Sequence, residues 1–281
     1  MSKAIVFQSD FGRSDGAVCA MYGVAHSVDP NIQIFDSTHD IPPYNIWEAS
    51  YRLNQAASFW PRNTVFVSVV DPGVGSERKS VAARTIQGHY IITPDNGTLM
   101  HIHHFCGVEE VRLIDESIHR LPNSEKSHTF HGRDVYAYTG ARLAAGSIDF
   151  EAVGPKLPLE DLVMLPLNRA IRSDHEITGM VEVLDVRFGN LWTNISRELI
   201  EQFGFTFGDE LEVTIQKHSQ NVYKSNVVYG RSFAVEEIDQ PILYVNSLDS
   251  IGLAINQGSF AETFNIGTGP NWRIKIKSKG V

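Results

Sequence analysis

The sequence predicts an α/β fold: an N-terminal layered α/β domain with a mostly parallel sheet, followed by a C-terminal β-rich domain of antiparallel, barrel-like character. Three observations support this prediction. The chain has 281 residues, a length that is enough for about two domains. Its first half alternates β-branched runs with stretches of helical length, whereas its second half has strand-like runs between turn signals. Its composition, 42% hydrophobic and 20% charged, is that of a globular protein and excludes disordered and fibrous classes.

The elements of the first half follow one another in the order expected of strands that cross over through helices into a parallel sheet. β-branched and aromatic residues favour the strands, and apolar residues at helical spacing favour the helices. The predicted strands are Ala4–Gln8, Gln33–Asp36, Val65–Val70, Ser80–Thr85 and Tyr90–Thr93, and the predicted helices are Gly16–Val28, Ile46–Phe59, Thr98–Phe105 and Arg133–Ala145.

The pattern changes at GPKLPLEDLVMLP (154–166), where proline is frequent and the periodicity is lost. We therefore place the N-terminal domain at 1–153, a linker at 154–170 and the β-rich domain at 171–281. The predicted strands beyond the linker are Ile177–Val186, Glu210–Ile215, Tyr223–Tyr229, Ile242–Asn246 and Trp272–Lys277, with a short helix at Ser196–Phe203.

Charge and cysteine content narrow the range of partners. The chain has 24 Lys and Arg against 33 Asp and Glu, a formal charge of −9 without a basic run, so nucleic acid is not expected to bind. Net acidity mildly favours a cationic small molecule. Two cysteines, Cys19 and Cys106, are too few for a disulfide framework or a thiolate zinc site and predict a cytoplasmic location. No apolar run approaches the roughly 20 residues of a membrane span, so no membrane association is expected.

Candidate functional residues lie just after the predicted strands, where ligands bind in open α/β sheets. The first strand ends at SDFG, which contains Asp10, and Asp15 precedes the next helix. An Asp at a strand end can accept ribose hydroxyls, although a turn and a helix cap would also explain these two residues. The third strand leads into DPGVGSER, where Asp71 and Arg78 could form a pair or hold an anion. The alternative is a surface turn with a solvated arginine.

Two histidine-containing segments differ in what they predict. His131, in TFHGRD, stands at a predicted helix start beside a glycine, a position that favours a functional role over the structural one that most histidines have. The run His101-Ile102-His103-His104 suggests a metal site, but neighbouring residues on a helix point to different faces and no carboxylate completes a ligand set. We therefore predict no metal site.

The second domain offers one candidate ligand segment, DVRFGNLWTN (185–194), after a strong strand. An Asn side chain can read an adenine edge, and an aromatic ring can stack on the base. A β-turn followed by aromatic core residues would also explain this segment. No GxGxxG follows the first strand and no P-loop occurs, so dinucleotide binding and phosphate cradling are disfavoured.

Taken in order, the motifs resemble the S-adenosylmethionine hydroxide adenosyltransferases, also called S-adenosylmethionine hydrolases, which are relatives of the fluorinases and chlorinases. The resemblance runs through SDFG, DPGVGSER, TPDNG, TFHGRD and FGNLWTN to Asn246-Ser247 and AINQG (254–258), nearly the whole chain. It implies hydrolysis of S-adenosyl-L-methionine to adenosine and L-methionine, in a homotrimer whose active sites lie between subunits. No cofactor is expected, because loss of methionine turns a sulfonium into a neutral thioether.

The resemblance also implies roles for individual residues. Asp71, Arg78 and His131 match the catalytic set of the hydrolytic branch, whereas the halogenating branch has other residues at the Asp and His positions. A halogenase acting on the same substrate and a non-catalytic S-adenosylmethionine- or adenosine-binding protein are the alternatives. The implied substrate contacts are Asp10 and Tyr44 at the ribose, Asp15 and Asp185 at the methionine amino group, Ser247 at the methionine carboxylate, and Phe188, Asn190, Trp192 and the backbone of Asn256 at adenine. Leu248 replaces an arginine that the halogenating relatives carry beside that serine.

Overall fold

A seven-stranded sheet organises the first of two structural units, Met1–Leu165 and Pro166–Val281. The computed structural model describes residues 4–279. The sheet order is β2-β1-β3-β5-β4-β6-β7. The first four strands in this order are parallel, and the remaining pairings are antiparallel. The strands are β1 Ala4–Ser9, β2 Gln33–Thr38, β3 Val65–Val69, β4 Ser80–Thr85, β5 Tyr90–Pro94, β6 Val108–Leu113 and β7 Lys156–Leu157.

Helices cover both faces of this sheet, and this explains why β1 and β3 are buried throughout and mostly apolar. Ile5 and Phe7 of β1 pack in one core with α1 and α3, whereas Val6 packs in a second core with Leu53 of α2. The helices of this unit are α1 Ala17–Val28, α2 Ile46–Ala57 and α3 Tyr138–Ala145, with a π-helical turn at Gly132–Ala137 leading directly into α3. Short pieces are a second π-helical turn at Ile102–Cys106 and 3₁₀ turns at Phe150–Val153 and Leu159–Asp161.

The second unit is a closed β-barrel. Its sheet runs β10-β14-β13-β12-β11-β15-β9, and β9 pairs back with β10 to close seven strands, while β8 extends from β9. One apolar cluster with members on all seven closing strands fills this unit. The elements are β8 Ile171–Arg172, β9 Ile177–Asp185, β10 Asn190–Ser196, α4 Arg197–Phe203, β11 Glu210–Lys217, β12 Gln220–Tyr229, a 3₁₀ turn Phe233–Val235, β13 Pro241–Val245, β14 Ser250–Ile255, α5 Phe260–Phe264 and β15 Trp272–Ser278.

The predicted fold class is confirmed: a parallel-rich sheet with helices precedes a β-barrel. Several elements were not predicted, namely β6, β7, β8, β10, β14 and α5. The helix predicted at Thr98–Phe105 is wrong in extent, because helical structure is confined to residues 100–106 and is mostly the π-helical turn. Gly107, with φ +74°, ends it. Between residues 4 and 279 no helix has both the length and the apolar character needed to cross a bilayer.

The first part of the predicted linker, from residue 154 to Leu165, belongs to the first structural unit. Leu157 of β7 pairs with Val111 of β6, and Leu162 is buried in the core on the α2 side. At Gly154, with φ +152°, an added Cβ would lie 2.1 Å from the Leu113 carbonyl oxygen. Only glycine fits this approach of two backbones, so the chain enters the segment 154–165 along a fixed path.

Candidate active site

Several polar residues meet at one edge of the first sheet, because the carboxyl ends of parallel strands share an edge. Asp10 follows β1 and Asp71 follows β3. The antiparallel strand β4 begins at this edge with Ser80, which pairs with Pro94 at the end of β5. Strand β6 ends there too, since Leu113 pairs with Val81, and its following turn carries Glu116. The sheet therefore gathers carboxylates and a hydroxyl from distant parts of the sequence.

Asp71 and Arg78 form a bidentate pair. Arg78 Nε donates to Asp71 Oδ1 at 2.8 Å, and Arg78 Nη2 donates to Oδ2 at 2.6 Å. The side chains are only 5% and 10% exposed, respectively, so the alternative of a solvated arginine on a surface turn is wrong. Gly75, with φ +76°, lets the intervening loop pass His128, whose carbonyl oxygen would be 2.9 Å from a Cβ. The turn thus folds Arg78 back onto the strand end.

His131 completes a three-residue cluster. Its Nδ1 lies 2.9 Å from Arg78 Nη2, across 53 residues of sequence. The next residue, Gly132, packs closely on Phe11 and Val69, which an added Cβ would meet at 3.2 Å. The structure therefore brings together all three residues expected to be catalytic, Asp71, Arg78 and His131; their catalytic role stays a prediction.

Burial and the neighbouring charges together shift the pKa values of His131 and Arg78. Burial, and after it the positive charges of Arg78 and Arg120, lower the pKa of His131 against the opposing effect of Glu116. Burial opposes the charge of Arg78, but the hydrogen bonds to Asp71 and the nearby negative groups raise its pKa above the ordinary value. At neutral pH the cluster consequently holds a neutral imidazole beside a charged guanidinium.

A second layer of side chains, which the sequence analysis missed, surrounds the cluster. Ser80 Oγ accepts from Arg78 Nη1 at 2.8 Å, donates to Glu116 Oε1 at 2.7 Å and lies 3.2 Å from the Tyr136 hydroxyl. Arg120 Nη2 lies 3.0 Å from His131 Nε2, and within residues 4–279 its buried Nη1 has no hydrogen-bond partner. Glu116 follows strand β6, which ends at this edge, but the charged run VEEVRL of that strand gives little strand signal in the sequence.

Asp10 lies beside Tyr44 in the structure. Asp10 Oδ2 accepts from the Tyr44 backbone N–H at 2.8 Å, and Tyr44 is exposed with φ +67°. The next residue, Asn45, caps α2 by accepting from Glu48 N at 3.0 Å. Asp15 behaves differently: it is exposed and its Oδ1 accepts from Ala17 N at 2.9 Å. The N-cap of α1 is Gly16 and no side chain caps this helix, so Asp15 forms a local turn before the helix rather than its cap, and its substrate contact stays a prediction.

In the second unit, Asp185, Phe188 and Asn190 share one tight turn between β9 and β10. The backbone N–H groups of Phe188 and Gly189 both donate to the Asp185 carbonyl, at 3.1 and 2.7 Å. Phe188 is 63% exposed, whereas Asn190 is buried. The Phe188 ring is thus accessible to a ligand, and its stacking on adenine, like the adenine contact of Asn190, stays a prediction.

Trp192, Ser247 and Asn256 have well-defined surroundings. Trp192 is buried and its Nε1 donates to the Tyr244 hydroxyl at 3.0 Å. Ser247 is exposed in a turn that the Asn246 side chain organises by accepting from Leu248 N at 2.9 Å. The backbone N–H of Asn256 donates to Gln240 O and its carbonyl accepts from Asp239 N, both at 2.9 Å. Trp192 and the Asn256 N–H are thus engaged within the barrel unit, and their contacts with adenine stay predictions.

Gly189→Ala is expected to distort this turn. Gly189 has φ +67°, and an added Cβ would lie 2.0 Å from Ser259 Oγ. We expect a loss of about 2–4 kcal/mol in unfolding free energy, from the strained φ and the overpacking together, and an adenosine Kd weaker by about tenfold because Phe188 moves. Calorimetry on the folded variant measures both.

Gly208→Ala is the matched control for this variant. Gly208 also has a positive φ, +103°, but an added Cβ would meet nothing within 4 Å. Gly208→Ala should lose less unfolding free energy, because only the strained φ contributes, and its affinity for adenosine should be unchanged. An unaltered adenosine Kd in a destabilised Gly189→Ala would argue against a base-binding role of the turn.

The histidine run contains no metal-ligand arrangement in the part of the chain that the structure describes. His101 is buried, and its Nδ1 lies 2.9 Å from Ser50 Oγ. Burial, with a smaller effect of His104, lowers the pKa of His101 to about 3, so this ring is neutral. Within residues 4–279 no three His, Cys, Asp or Glu side chains form a group that could hold a metal ion.

Comparison with known proteins identifies the family. The model of the S-adenosylmethionine (SAM) hydroxide adenosyltransferase N-terminal domain matches residues 5–154, and that of the C-terminal domain matches residues 179–273. The chain is 31% identical over 277 residues to the (R)-S-adenosyl-L-methionine hydrolase of Thermus thermophilus, covering 97% of this chain and 99% of that protein. It is 32% identical over 225 residues to the protein of the same name from Methanocaldococcus jannaschii, covering 78% and 76%.

Other relatives extend the comparison. The fluorinase of Actinopolyspora mzabensis is 28% identical over 297 residues, covering 96% of each chain. The crystal structure of an uncharacterized conserved protein from Thermotoga maritima matches with a TM-score of 0.88 and 29% identity, covering 97% of this chain and 99% of that one. Matches to both domain models, in the expected order, show that the chain is an enzyme of the SAM hydroxide adenosyltransferase family.

Proposed function

We propose that the protein hydrolyses S-adenosyl-L-methionine to adenosine and L-methionine by attack of an activated water on C5′ of the ribose. The observation that carries the proposal is the buried cluster of Asp71, Arg78 and His131. Relatives named hydrolases and relatives named fluorinases both match this chain, so the choice of nucleophile depends on this cluster. A set of charged, hydrogen-bonding groups suits an oxygen nucleophile that must be oriented and deprotonated.

The substrate supplies its own leaving group. Cleavage of the C5′–S bond leaves the electron pair on sulfur and converts the sulfonium into the neutral thioether of methionine. The protein therefore has to activate only the incoming water, which is a very weak acid in bulk solvent. These bond changes balance without a metal or redox cofactor, and we propose that the reaction uses none.

The cluster can orient a water and favour its hydroxide-like form. The neutral His131 ring can accept from Arg78 Nη2 and hold that guanidinium in place, and Asp71 can accept a proton of the water. Arg78 and Arg120, whose Nη1 has no hydrogen-bond partner among residues 4–279, are donors and positive charges that stabilise negative charge on oxygen. Low exposure strengthens these interactions relative to water.

The remaining predicted residues would bind the two ends of the substrate. In the first unit, Asp10 is held beside Tyr44 and can accept ribose hydroxyls. In the second unit, the Asp185–Asn190 turn offers Phe188 for stacking on adenine and an amide for its edge. The homotrimer with active sites between subunits and the cytoplasmic location belong to the same proposal.

Reaction in oxygen-18 water tests the proposed function. The purified protein is incubated with S-adenosyl-L-methionine in labelled water, and the nucleoside product is analysed by mass spectrometry. Adenosine with the label at its 5′-hydroxyl is expected, because water supplies the oxygen that bonds to C5′. A parallel reaction in unlabelled water fixes the mass of the unlabelled product.

Chloride and fluoride are included in a second set of reactions. Halide-dependent formation of a 5′-halo-5′-deoxyadenosine would instead support a halogenase. Tight binding of substrate without any product over a long incubation would support a binding protein. Either outcome, or adenosine without label, would contradict hydrolysis.

A further inference from the structure

Glu116 is the carboxylate of the cluster that reaches solvent. Its side chain is 34% exposed, in contrast to the 5% of Asp71. Its Oε1 accepts from Ser80 Oγ at 2.7 Å, and Ser80 is itself held by Arg78 Nη1 at 2.8 Å. Glu116 is thus connected to the buried site on one side and to water on the other.

Hydroxyl groups link Asp71 to Glu116. The Tyr136 hydroxyl lies 3.5 Å from Asp71 Oδ2 and 3.2 Å from Ser80 Oγ, and Ser80 contacts Glu116. Burial raises the pKa of Tyr136 well above its ordinary value, so this group stays a neutral hydroxyl. A neutral hydroxyl can accept one proton and release another, as a member of a proton relay does.

The other two candidates for keeping the proton are poorly placed. Both oxygens of Asp71 already accept hydrogen bonds from Arg78. The two ring nitrogens of His131 face guanidinium nitrogens, Arg78 Nη2 at 2.9 Å and Arg120 Nη2 at 3.0 Å. Because a guanidinium only donates, a doubly protonated His131 would direct both of its N–H groups at donors. The proton is therefore favoured to leave the site.

We propose, on the basis of the proposed hydrolysis, that Glu116 is the exit for the proton of the attacking water, reached through Asp71, Tyr136 and Ser80. One O–H bond of the water breaks, and its electron pair forms the bond to C5′. The C5′–S pair stays on the sulfur of methionine. Asp71, Tyr136 and Ser80 each pass on a proton, so that the net transfer is from water to Glu116 Oε1 and then to solvent.

The charges of the cluster support this direction of transfer. Asp71 and Glu116 balance Arg78 and Arg120. When Glu116 is protonated, the cluster carries one net positive charge, which stabilises a hydroxide-like oxygen. Glu116 also lies 3.9 Å from His131 Nδ1 and 3.8 Å from Arg120 Nη2. The charges of Glu116 and Arg78 act on the pKa of Tyr136 in opposite directions, Glu116 raising it and Arg78 lowering it. In this arrangement Glu116 is a positioning residue that acts through Ser80.

Glu116→Gln tests the relay, because it keeps the side-chain size but cannot accept the proton. We expect kcat to fall about 30-fold near neutral pH, less than the roughly 10²- to 10⁴-fold typical of general acid–base catalysis, since solvent water can partly replace an exposed base. The loss should shrink as the pH rises, because hydroxide from solution then replaces the missing base. Glu116→Asp should retain more activity than Glu116→Gln.

The double variant Ser80→Ala/Glu116→Gln separates a relay from two independent contacts. If the two residues act in one chain of transfers, the double variant should be no more than about threefold slower than the slower single variant. Glu109→Gln is the matched control, because Glu109 is an exposed glutamate of β6 that pairs with Arg84 at 3.1 Å. It should retain the activity of the unaltered protein.

Two outcomes would overturn the relay. One is a Glu116→Gln variant with a kcat like that of the unaltered protein at every pH, and the other is a loss of equal size at every pH, which a structural role would produce. Failure of the proposed hydrolysis is distinguishable, because then the unaltered protein forms no labelled adenosine. Labelled adenosine from the unaltered protein together with a pH-independent Gln variant would remove only the relay.

Discussion

Asp71→Asn is expected to lower kcat by about a thousandfold while leaving adenosine binding measurable. The amide keeps the shape of the side chain but loses the charge that both nitrogens of Arg78 contact, at 2.8 and 2.6 Å. The water is then neither oriented by a carboxylate nor given a first proton acceptor, and combined losses of this kind reach about 10³-fold. The rate of adenosine release and the Kd of adenosine measure the two effects separately.

The same variant should also be less stable. Arg78, 10% exposed, would remain buried without a carboxylate, and removal of one partner of a buried ion pair typically costs about 3–5 kcal/mol. Adding Arg78→Gln to Asp71→Asn should restore part of the thermal stability but none of the activity. Asp161→Asn, an exposed aspartate in a 3₁₀ turn, is the control. An Asp71→Asn variant with nearly full turnover would contradict the proposed role of the carboxylate.

Arg78→Lys is expected to reduce kcat by about 300-fold. Arg78 contacts four acceptor atoms at once: both oxygens of Asp71, Ser80 Oγ and His131 Nδ1. A lysine ammonium carries the charge but has three donors on one nitrogen and cannot reproduce the planar fork. The water would be held in the wrong geometry, and a displacement of about 1 Å can cost about 100-fold or more.

Arg84→Lys provides a control of similar chemistry for the Arg78 substitution. Arg84 forms ion pairs with Glu109 and Glu151, each at 3.1 Å, on the more exposed part of the sheet. Its replacement should leave turnover unchanged. If Arg78→Lys were as active as Arg84→Lys, then positive charge alone would be sufficient at position 78, and the four-acceptor geometry would have no catalytic importance.

The apolar strands of the first sheet were predictable because they are buried on both faces. Their periodicity and their turn signals gave β1, β3, β4 and β5 within a few residues. Strand β6 was missed because its run, VEEVRL, contains three charged residues, whose side chains pair along the sheet: Glu110 with Arg112 at 2.7 Å and Glu109 with Arg84. Strand β6, which belongs to the antiparallel part of the sheet, therefore lacks the run of apolar residues that identifies the other strands.

The candidate site also contains residues that the sequence predicts and residues that it does not. Asp71 was found because it follows a strong strand, and its pairing with Arg78 was one of two open alternatives. Glu116 was missed together with β6. Arg120 contacts His131 and Glu116 of the cluster, and these contacts depend on the packing of the 116–131 segment against the sheet. Local sequence carries no trace of such packing, because the same residues would be ordinary solvent-exposed charges in another fold.

The π-helical turn at Gly132–Ala137 has a consequence for how His131 and Tyr136 share one arginine. The Nδ1 of His131 is 2.9 Å from Arg78 Nη2, and the Tyr136 ring lies 5.5 Å from the Arg78 guanidinium carbon. In a regular α-helix, residues five apart point about 140° away from each other. The wider i→i+5 turn brings them to the same side, with α3 continuing normally behind it. A single extra residue in a helix thus aligns an imidazole and a phenol in one direction, so removing one residue from 132–137 would disconnect the two rings even though both would remain in the chain.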